Sequence, residues 1–391
     1  MDKKLKILFV VRTLTHGGGA ERLIFDIYNE LNKRNDIHFK IVVLQKSEIF
    51  KEYNISNADY YENKMKDIFY LNYKIKLSLF RKNKINICEY KNIVNEFKPD
   101  IIHSHLYLAE LVSREYISNR PKYVTHVHDN IVQFRRFSIK TIIYKSLLTN
   151  YYERLRLLNK YKQTKTHFIC ISEETKKFIH NNLPKKVRKK TIILPNAIDL
   201  NRFSLIKKTI TNDSCVQFIS IGSLATRKNH LFLIDVIDNL KNKGYSVHLT
   251  ILGEGVERFN IENKIQKLNL NNEITLKGNV SEIVSYLDGS NIYLHSAISE
   301  PFGLVLLEAM ASGLPVVSLD GKGNRDIVKD NYNGFLIEDI SIDLMCEKII
   351  YLLNNKKEYE RISQNAVDFS KKFSINGYAD KLIDFYRSII N

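Results

Sequence analysis

The sequence of 391 residues contains no tryptophan and only four cysteines. Cys88, Cys170, Cys215 and Cys346 stand far apart and none forms a CxxC pair. This excludes a disulfide-stapled miniprotein and gives no support to a zinc ribbon; four reduced thiols are expected. Long apolar runs are also missing. Near the start, ILFVV gives way to a glycine-rich turn before it reaches the length of a secretory h-region. No stretch approaches the roughly 20 uncharged apolar residues that span a bilayer. A soluble protein is expected, cytoplasmic or peripheral. The sequence has no GxGxxG and no GxxxxGK[ST], which disfavours a dinucleotide site and a P-loop ATPase. No Asp-x-Asp follows a strand candidate, and no RNP, helix-turn-helix or zinc-finger pattern is present.

What is present is length and cationic charge. The chain is long enough for two or three domains, each with its own core. It carries 60 Lys plus Arg against 43 Asp plus Glu, a net charge of +17. Residues 1–198 hold 38 basic and 19 acidic side chains, whereas residues 199–391 hold 22 and 24. All the excess positive charge therefore sits in the first half. An anionic partner for that half is implied: nucleic acid, an anionic membrane or a phosphorylated substrate.

Two segments about 210 residues apart read as strand, glycine-containing turn and helix. In the first, Lys6–Val11 is the strand, THGGGAER the turn, and Leu23, Ile27 and Leu31 mark the helix face. In the second, Val216–Gly222 is followed by SLATRKNH and by a helix stopped at Gly244. Further strand candidates alternate with helices: Phe39–Gln45, Asp100–His105, Tyr123–His128 and His167–Ser172, then Val247–Gly253, Glu273–Gly278, Ile292–Ser296 and Leu314–Asp320. Continuous Val/Ile/Leu runs separated by helices are what a parallel sheet covered on both faces requires. The expected fold class is α/β, with two doubly wound Rossmann-like domains facing across a cleft. The expected domains are 1–197 and 198–373, with a final helix, 374–391, packing back on the first through Tyr378, Leu382, Phe385 and Ile389.

Ligands of open α/β sheets bind outside the carboxyl ends of the strands, so the residues after each strand are examined first. Gly17, Gly18 and Gly19 allow close backbone approach to a phosphate or sugar at a helix start. Arg227 and Lys228 form a cationic pair suited to a diphosphate. The most specific stretch is SEPFGLVLLEAMASGLPVVS, Ser299 to Ser318. Its helix start leaves the N–H groups of Phe302, Gly303, Leu304 and Val305 for a phosphate, while Glu300 and Glu308 can accept from sugar hydroxyls. Glu308 inside an apolar helix is costly unless a partner meets it.

This Glu-x7-Glu stretch, with its AMASGLPVV continuation and the lysine turn after GS, resembles retaining glycosyltransferases of the GT-B fold, family 4 (glycosyl transferases group 1). The resemblance runs through GGGAER, ISEETKKFI, LPNAIDLNRF, ILGEG and NGFLIED and covers nearly the whole chain. It implies a hexosyltransferase whose nucleotide-sugar donor, by family weight a UDP-sugar, is held mainly by the C-terminal domain. Lys228 would neutralise the diphosphate, Glu308 accept from the ribose, and Glu300 contact the donor sugar. Gly303, Leu304 and Val305 would donate to phosphate, and Gly253, Glu254, Gly255 and the backbone at Lys277 and Gly278 would border the base. The family usually has an arginine where this chain has Ser223, a departure for which Arg227 would compensate. Gly18 and Gly19 would lie against the donor.

His128 in YVTHVHDN matches the family's active-site histidine, and His126 is expected to point to the opposite strand face. His103 and His105 are given a core or acceptor-side role in preference to metal ligation. No cofactor and no bound metal are implied. Retention would proceed by front-face attack, with a donor phosphate oxygen deprotonating the acceptor.

The acceptor is read from Lys64–Lys91 and Gln133–Lys165, which mix Lys and Arg with Phe, Tyr, Leu and Ile. On helices such mixtures lie at anionic membrane surfaces. A lipid-linked or oligosaccharide acceptor in bacterial capsule, O-antigen or similar surface polysaccharide biosynthesis is therefore expected, with the enzyme peripheral at the inner face of the cell membrane and no nucleic acid as partner. A UDP-sugar epimerase of GT-B-like fold and a basic nucleic-acid-binding protein are the competing readings.

Overall fold

The computed structural model describes residues 4–14, 18–45, 67–71, 87–136, 144–203 and 215–391. It divides into two compact units, Met1–Pro195 with Tyr378–Asn391, and Asn196–Gly377. Among the described residues the first unit carries seven strands: β1 (Leu5–Val11), β2 (Ile37–Val43), β3 (Ile68–Tyr70), β4 (Ile101–His105), β5 (Lys122–Val127), β6 (His167–Cys170) and β7 (Thr191–Ile193). Their order is β3-β2-β1-β4-β5-β6-β7. The second unit carries β8 (Val216–Ile221), β9 (Val247–Leu252), β10 (Ile274–Gly278), β11 (Ile292–His295), β12 (Val316–Leu319) and β13 (Gly334–Ile337). Their order is β10-β9-β8-β11-β12-β13.

All of these pairings are parallel. In both sheets the chain starts in the middle, winds to one edge, and then returns to build the other side. The winding reverses between β1 and β4 and between β8 and β11, which are the switch points where such sheets bind ligands. The apolar runs seen in the sequence lie in these strands because helices cover both faces: Ile7 to Val10 and Leu249, Ile251, Ile292 and Leu294 are all buried.

The helix after the first glycine turn spans Gly19–Leu31 and buries Leu23, Ile27 and Leu31. Its counterpart in the second unit spans His230–Asn242, and the chain leaves it at Gly244 with φ +87°, the left-handed conformation that suits glycine. Two expectations are corrected. Residues 68–70, inside the Lys64–Lys91 segment expected at a membrane surface, form β3 and pair with Ile41–Val43. In the same segment, residues 64–66 and 72–86 lie outside the described residues. The C-terminal helix, Ile375–Ile390, buries Ile375, Tyr378, Ala379, Leu382, Ile383 and Tyr386, so its buried face is turned by one position from the expected set and Phe385 is only half-buried.

All four cysteines are free, Cys170 and Cys346 buried and Cys88 and Cys215 exposed.

Candidate active site

The candidate site residues of the second unit cluster after the carboxyl ends of β8 to β11. After β8, Gly222 leads through Ser223 and Leu224 to a 3-10 turn at Thr226–Lys228. After β9, Gly253 adopts φ +139°, and a Cβ on it would lie 2.0 Å from the Gly222 carbonyl oxygen. A Cβ on Gly255 would lie 2.4 Å from the Leu224 carbonyl oxygen. Glycine is required at both positions because the two loops touch backbone to backbone. The loop contact is closed by the Leu224 N–H donating to the Glu254 carbonyl at 2.9 Å.

Across the switch point, Lys228 Nζ donates to Glu300 Oε2 at 2.5 Å, and both side chains are largely buried. His295, at the end of β11, places Nε2 3.5 Å from the same Glu300 oxygen. Burial alone would raise the Glu300 carboxyl, but the His295 and Lys228 contacts outweigh it and hold Glu300 far below the usual carboxylate range. Burial also lowers His295, against the opposing pull of Glu300. His230, buried at the start of the following helix, is lowered to about 4 by burial, with His295 and Lys228 adding to the effect.

The loop holding Glu300 is pinned by the one after β12. Glu300 N–H donates to Gly321 O at 2.8 Å and Gly323 N–H donates to Glu300 O at 2.9 Å. Asp320 anchors that loop by accepting from both arms of Arg325, at 2.9 and 2.6 Å, and from Lys322 at 2.9 Å. Although burial opposes it, these partners bring the Asp320 carboxyl down to about 2. Asn324 completes the frame by bonding Ser318, Leu319 and Gly321. His295, His230, Asp320 and Arg325 were not singled out from the sequence. The only signal for them was position, since His295 and Asp320 sit at the ends of strand candidates.

Gly303, with φ +97°, caps the Leu304–Ala311 helix. The first-turn amides of Leu304 and Val305 have no acceptor within the helix, and Phe302 and Glu308 are buried beside them. Ser223 and Arg227 are exposed, and an Arg227 guanidinium N–H reaches the Ser299 carbonyl at 3.3 Å. Glu254 is engaged by the Arg258 guanidinium, and a Cβ on Gly278 would lie 2.7 Å from the Glu254 carboxylate.

In the first unit, Gly18 precedes the Gly19–Leu31 helix, and a Cβ on it would lie 1.9 Å from the Glu21 carboxylate. Gly17 lies outside the described residues. His128 follows β5, is buried, and is lowered to about 3 by that burial. The expectation that His126 points away from His128 is wrong. Positions two apart in a strand share a face, and the two rings stack at 4.2 Å with 9° between their planes. His103 and His105 join them, so four histidines share one face of β4 and β5.

The arrangement is one in which a cation, a carboxylate and a helix N-terminus converge at a switch point, as suits a phosphorylated sugar compound. Comparison with known proteins agrees. The family described as Glycosyltransferase Family 4 matches residues 17–202, and Glycosyl transferases group 1 matches residues 201–369. A glycosyltransferase of Methanocaldococcus jannaschii is 28% identical over 332 residues, 83% of this chain and 86% of its own. The UDP-Gal:α-D-GlcNAc-diphosphoundecaprenol α-1,3-galactosyltransferase of Escherichia coli is 25% identical over 85% of this chain and 86% of its own. Among solved structures, Anabaena HepE in complex with UDP and glucose matches with a TM-score of 0.73 at 19% identity, over 98% of this chain and all of that one. With both halves matched in order and the doubly wound sheets in place, the chain belongs to the family 4, group 1 glycosyltransferases of the GT-B fold.

Proposed function

We propose that the protein transfers a hexose, with retention of anomeric configuration, from a UDP-sugar to a saccharide or lipid-linked acceptor in bacterial surface-polysaccharide assembly. The observation that carries this is the meeting of Lys228 and Glu300 across the β8–β11 switch point, beside the Gly303 helix start. Breaking the anomeric carbon–phosphate bond builds negative charge on the leaving diphosphate. Lys228, Arg227 and the amides of Gly303, Leu304 and Val305 are groups already in place to meet it, which is the most effective form of electrostatic catalysis. Glu300, kept ionised by its cationic and histidine neighbours, accepts from hydroxyls of the donor sugar. Glu308 takes the ribose, the loops at Gly253, Glu254 and Gly278 border the base, and Ser223 stands on the phosphate side. In the first unit, Gly18, Gly19 and His128 are assigned to the phosphate and sugar of the donor.

No step in this scheme draws on a metal: the cations at the diphosphate are side chains. The acceptor's proton passes to a donor phosphate oxygen as the new bond forms on the same face. The UDP and membrane-lipid assignments are supported by what HepE binds and by the undecaprenol-linked acceptor in the name of the E. coli relative. Among the described residues no helix is long and apolar enough to cross a membrane; the peripheral position at an anionic surface that we assign is supported by the basic excess of residues 1–198. A panel of UDP-, GDP- and ADP-sugars tests the donor. A UDP-sugar is expected to raise the melting temperature and to be hydrolysed slowly without acceptor. Stabilisation by a GDP- or ADP-sugar alone would reassign the base, and formation of an epimer would replace transfer with epimerisation.

A further inference from the structure

The histidine face of β4 and β5 has no part in the donor chemistry beyond His128, yet it is the most unusual polar feature of the first unit. The register places His105 opposite His126 and His103 opposite Val124, so the four imidazoles stack along one face while Ser104 and Thr125 point to the other. On that other face the polar groups are paired, apart from Glu110 Oε1. Arg114 donates to Ser104 at 2.8 Å and to Thr125 at 2.8 Å, and is paired with Glu110 at 2.9 Å. On the histidine face they are not. His103 Nδ1 meets the Tyr386 hydroxyl at 2.5 Å and His105 Nδ1 meets His128 Nε2 at 2.9 Å. Among the described residues, His103 Nε2, His105 Nε2 and both nitrogens of His126 are buried without a hydrogen-bond partner.

Native interiors rarely leave such atoms unpaired, because each one has given up its water. Phe9 closes one side of the cluster at 4.9 Å from His103 and 4.7 Å from His105. His103, His105 and His126 are essentially inaccessible, and His128, 8% exposed, is the ring nearest solvent.

We propose that His103, His105 and His126 bind a borderline transition-metal ion, Zn2+ in particular, at a site separate from the donor diphosphate. One nitrogen from each residue lies within 4.8 Å of the others. A central point is then within about 2.8 Å of all three, wider than the ~2.0–2.1 Å of a zinc–imidazole bond, so binding must draw the three rings together out of their stacked arrangement. Three imidazoles suit zinc, copper, nickel or cobalt and are a poor set for magnesium or calcium, which take oxygen ligands. The existing hydrogen bonds complete the pattern. Metal-bound histidines hold their second ring nitrogen on a polar partner; with Nε2 as the ligand atom, Tyr386 and His128 stand at that place on Nδ1 of His103 and His105. The ion would then fix the His105 proton on Nδ1, where it donates to His128 Nε2, and so set the orientation of His128. That last consequence, unlike the ion site itself, rests on the role proposed for His128.

The test uses the full chain, stripped with a chelator and titrated calorimetrically with Zn2+ and spectroscopically with Co2+. One ion per chain is expected, with Co2+ giving the visible bands of a low-coordinate imidazole site. His103→Asn and His126→Gln are each expected to weaken binding at least tenfold, and Tyr386→Phe by about 10–100-fold. His248→Gln, in the second unit, is expected to leave it unchanged. Long-range 15N spectra of the unaltered chain keep the test independent of variant folding, because Zn2+ must shift ring nitrogens of the cluster. Absence of stoichiometric binding, unshifted ring nitrogens, or full binding by folded His126→Gln would each overturn the site. None of these readouts depends on glycosyl transfer, so loss of the metal site and loss of the donor reading are separable results.

Discussion

Lys228 stands 2.5 Å from Glu300, so a diphosphate at this site competes with a carboxylate for the same ammonium. Lys228→Ala and Glu308→Ala are each expected to lower kcat/KM at least tenfold, about 1.4 kcal/mol of transition-state stabilisation. Removing one partner of a buried pair also destabilises the fold, so the rates are compared well below each variant's melting temperature; unchanged kcat/KM in either would remove that residue from the site. His128→Ala is expected to slow transfer more than His126→Ala.

His230 gives a pH dependence. Its folded value near 4 lies below the ordinary 6.5, so between these pH values the unfolded chain binds a proton that the folded chain refuses. Stability is therefore full above about pH 6.5 and falls as pH drops toward 4, by about 3 kcal/mol for this one group. His230→Gln is expected to flatten the decline in melting temperature over that range; an unchanged slope would show that His230 titrates freely. Lys228, Glu300 and Glu308 could be picked from the sequence because their spacing to glycines and strand ends is local. His295, His230 and Asp320 could not, because their significance comes from neighbours contributed by other strands.

At the scale of elements, strand ends and the loops between them set the geometry. Gly253→Ala must displace the Gly222 carbonyl, 2.0 Å from the new Cβ, at a backbone angle that alanine resists. A cost of about 1–3 kcal/mol is expected, read as a lower melting temperature and a raised KM for the donor. Wild-type stability would mean that the two loops separate easily. In the first unit the Glu110 carboxyl is pushed up to about 7 by burial, with Arg114 opposing. Arg114→Leu leaves Glu110 buried and uncompensated, a loss of about 3–5 kcal/mol, whereas Arg114→Leu with Glu110→Leu is expected to recover most of it. Denaturant unfolding of both variants measures the difference, and equal loss in the two would deny the pair its coupling. The strands themselves were legible as apolar runs. β3 was not, because three half-buried residues at a sheet edge in basic sequence carry no such signal.

For the whole molecule, the excess of basic over acidic residues is confined to the first 198 positions, while the residues proposed to handle the donor lie mostly after them. On the Lys145–Thr164 helix, Leu148 and Leu155 are exposed seven positions apart, which places them on one face, and Tyr144, just before the helix, is exposed as well. Part of the expected Gln133–Lys165 segment, residues 137–143, lies outside the described residues. An exposed apolar stripe on a basic helix suits an anionic lipid surface. Binding to anionic vesicles is expected to fall as salt rises and to weaken in Leu148→Ser with Leu155→Ser. Equal binding to neutral vesicles, or none at low salt, would remove the membrane from the proposal. Salt-sensitive DNA binding instead would favour the nucleic-acid reading.

The sequence by itself determined the class of fold and the region of the chemistry. Unbroken apolar strands cannot face water on either side, so they require a parallel sheet between helix layers, and its switch points dictate where strand-end residues gather. The tertiary structure decided which side chains meet. Lys228 finds Glu300 across 72 positions of chain, and His105 finds His128 across 23. Both meetings depend on strand order and register, which are set by packing over the entire sheet rather than by any local run of residues. The same is true of the stacked histidines, whose common face follows from the pleat and whose closeness follows from β4 lying beside β5.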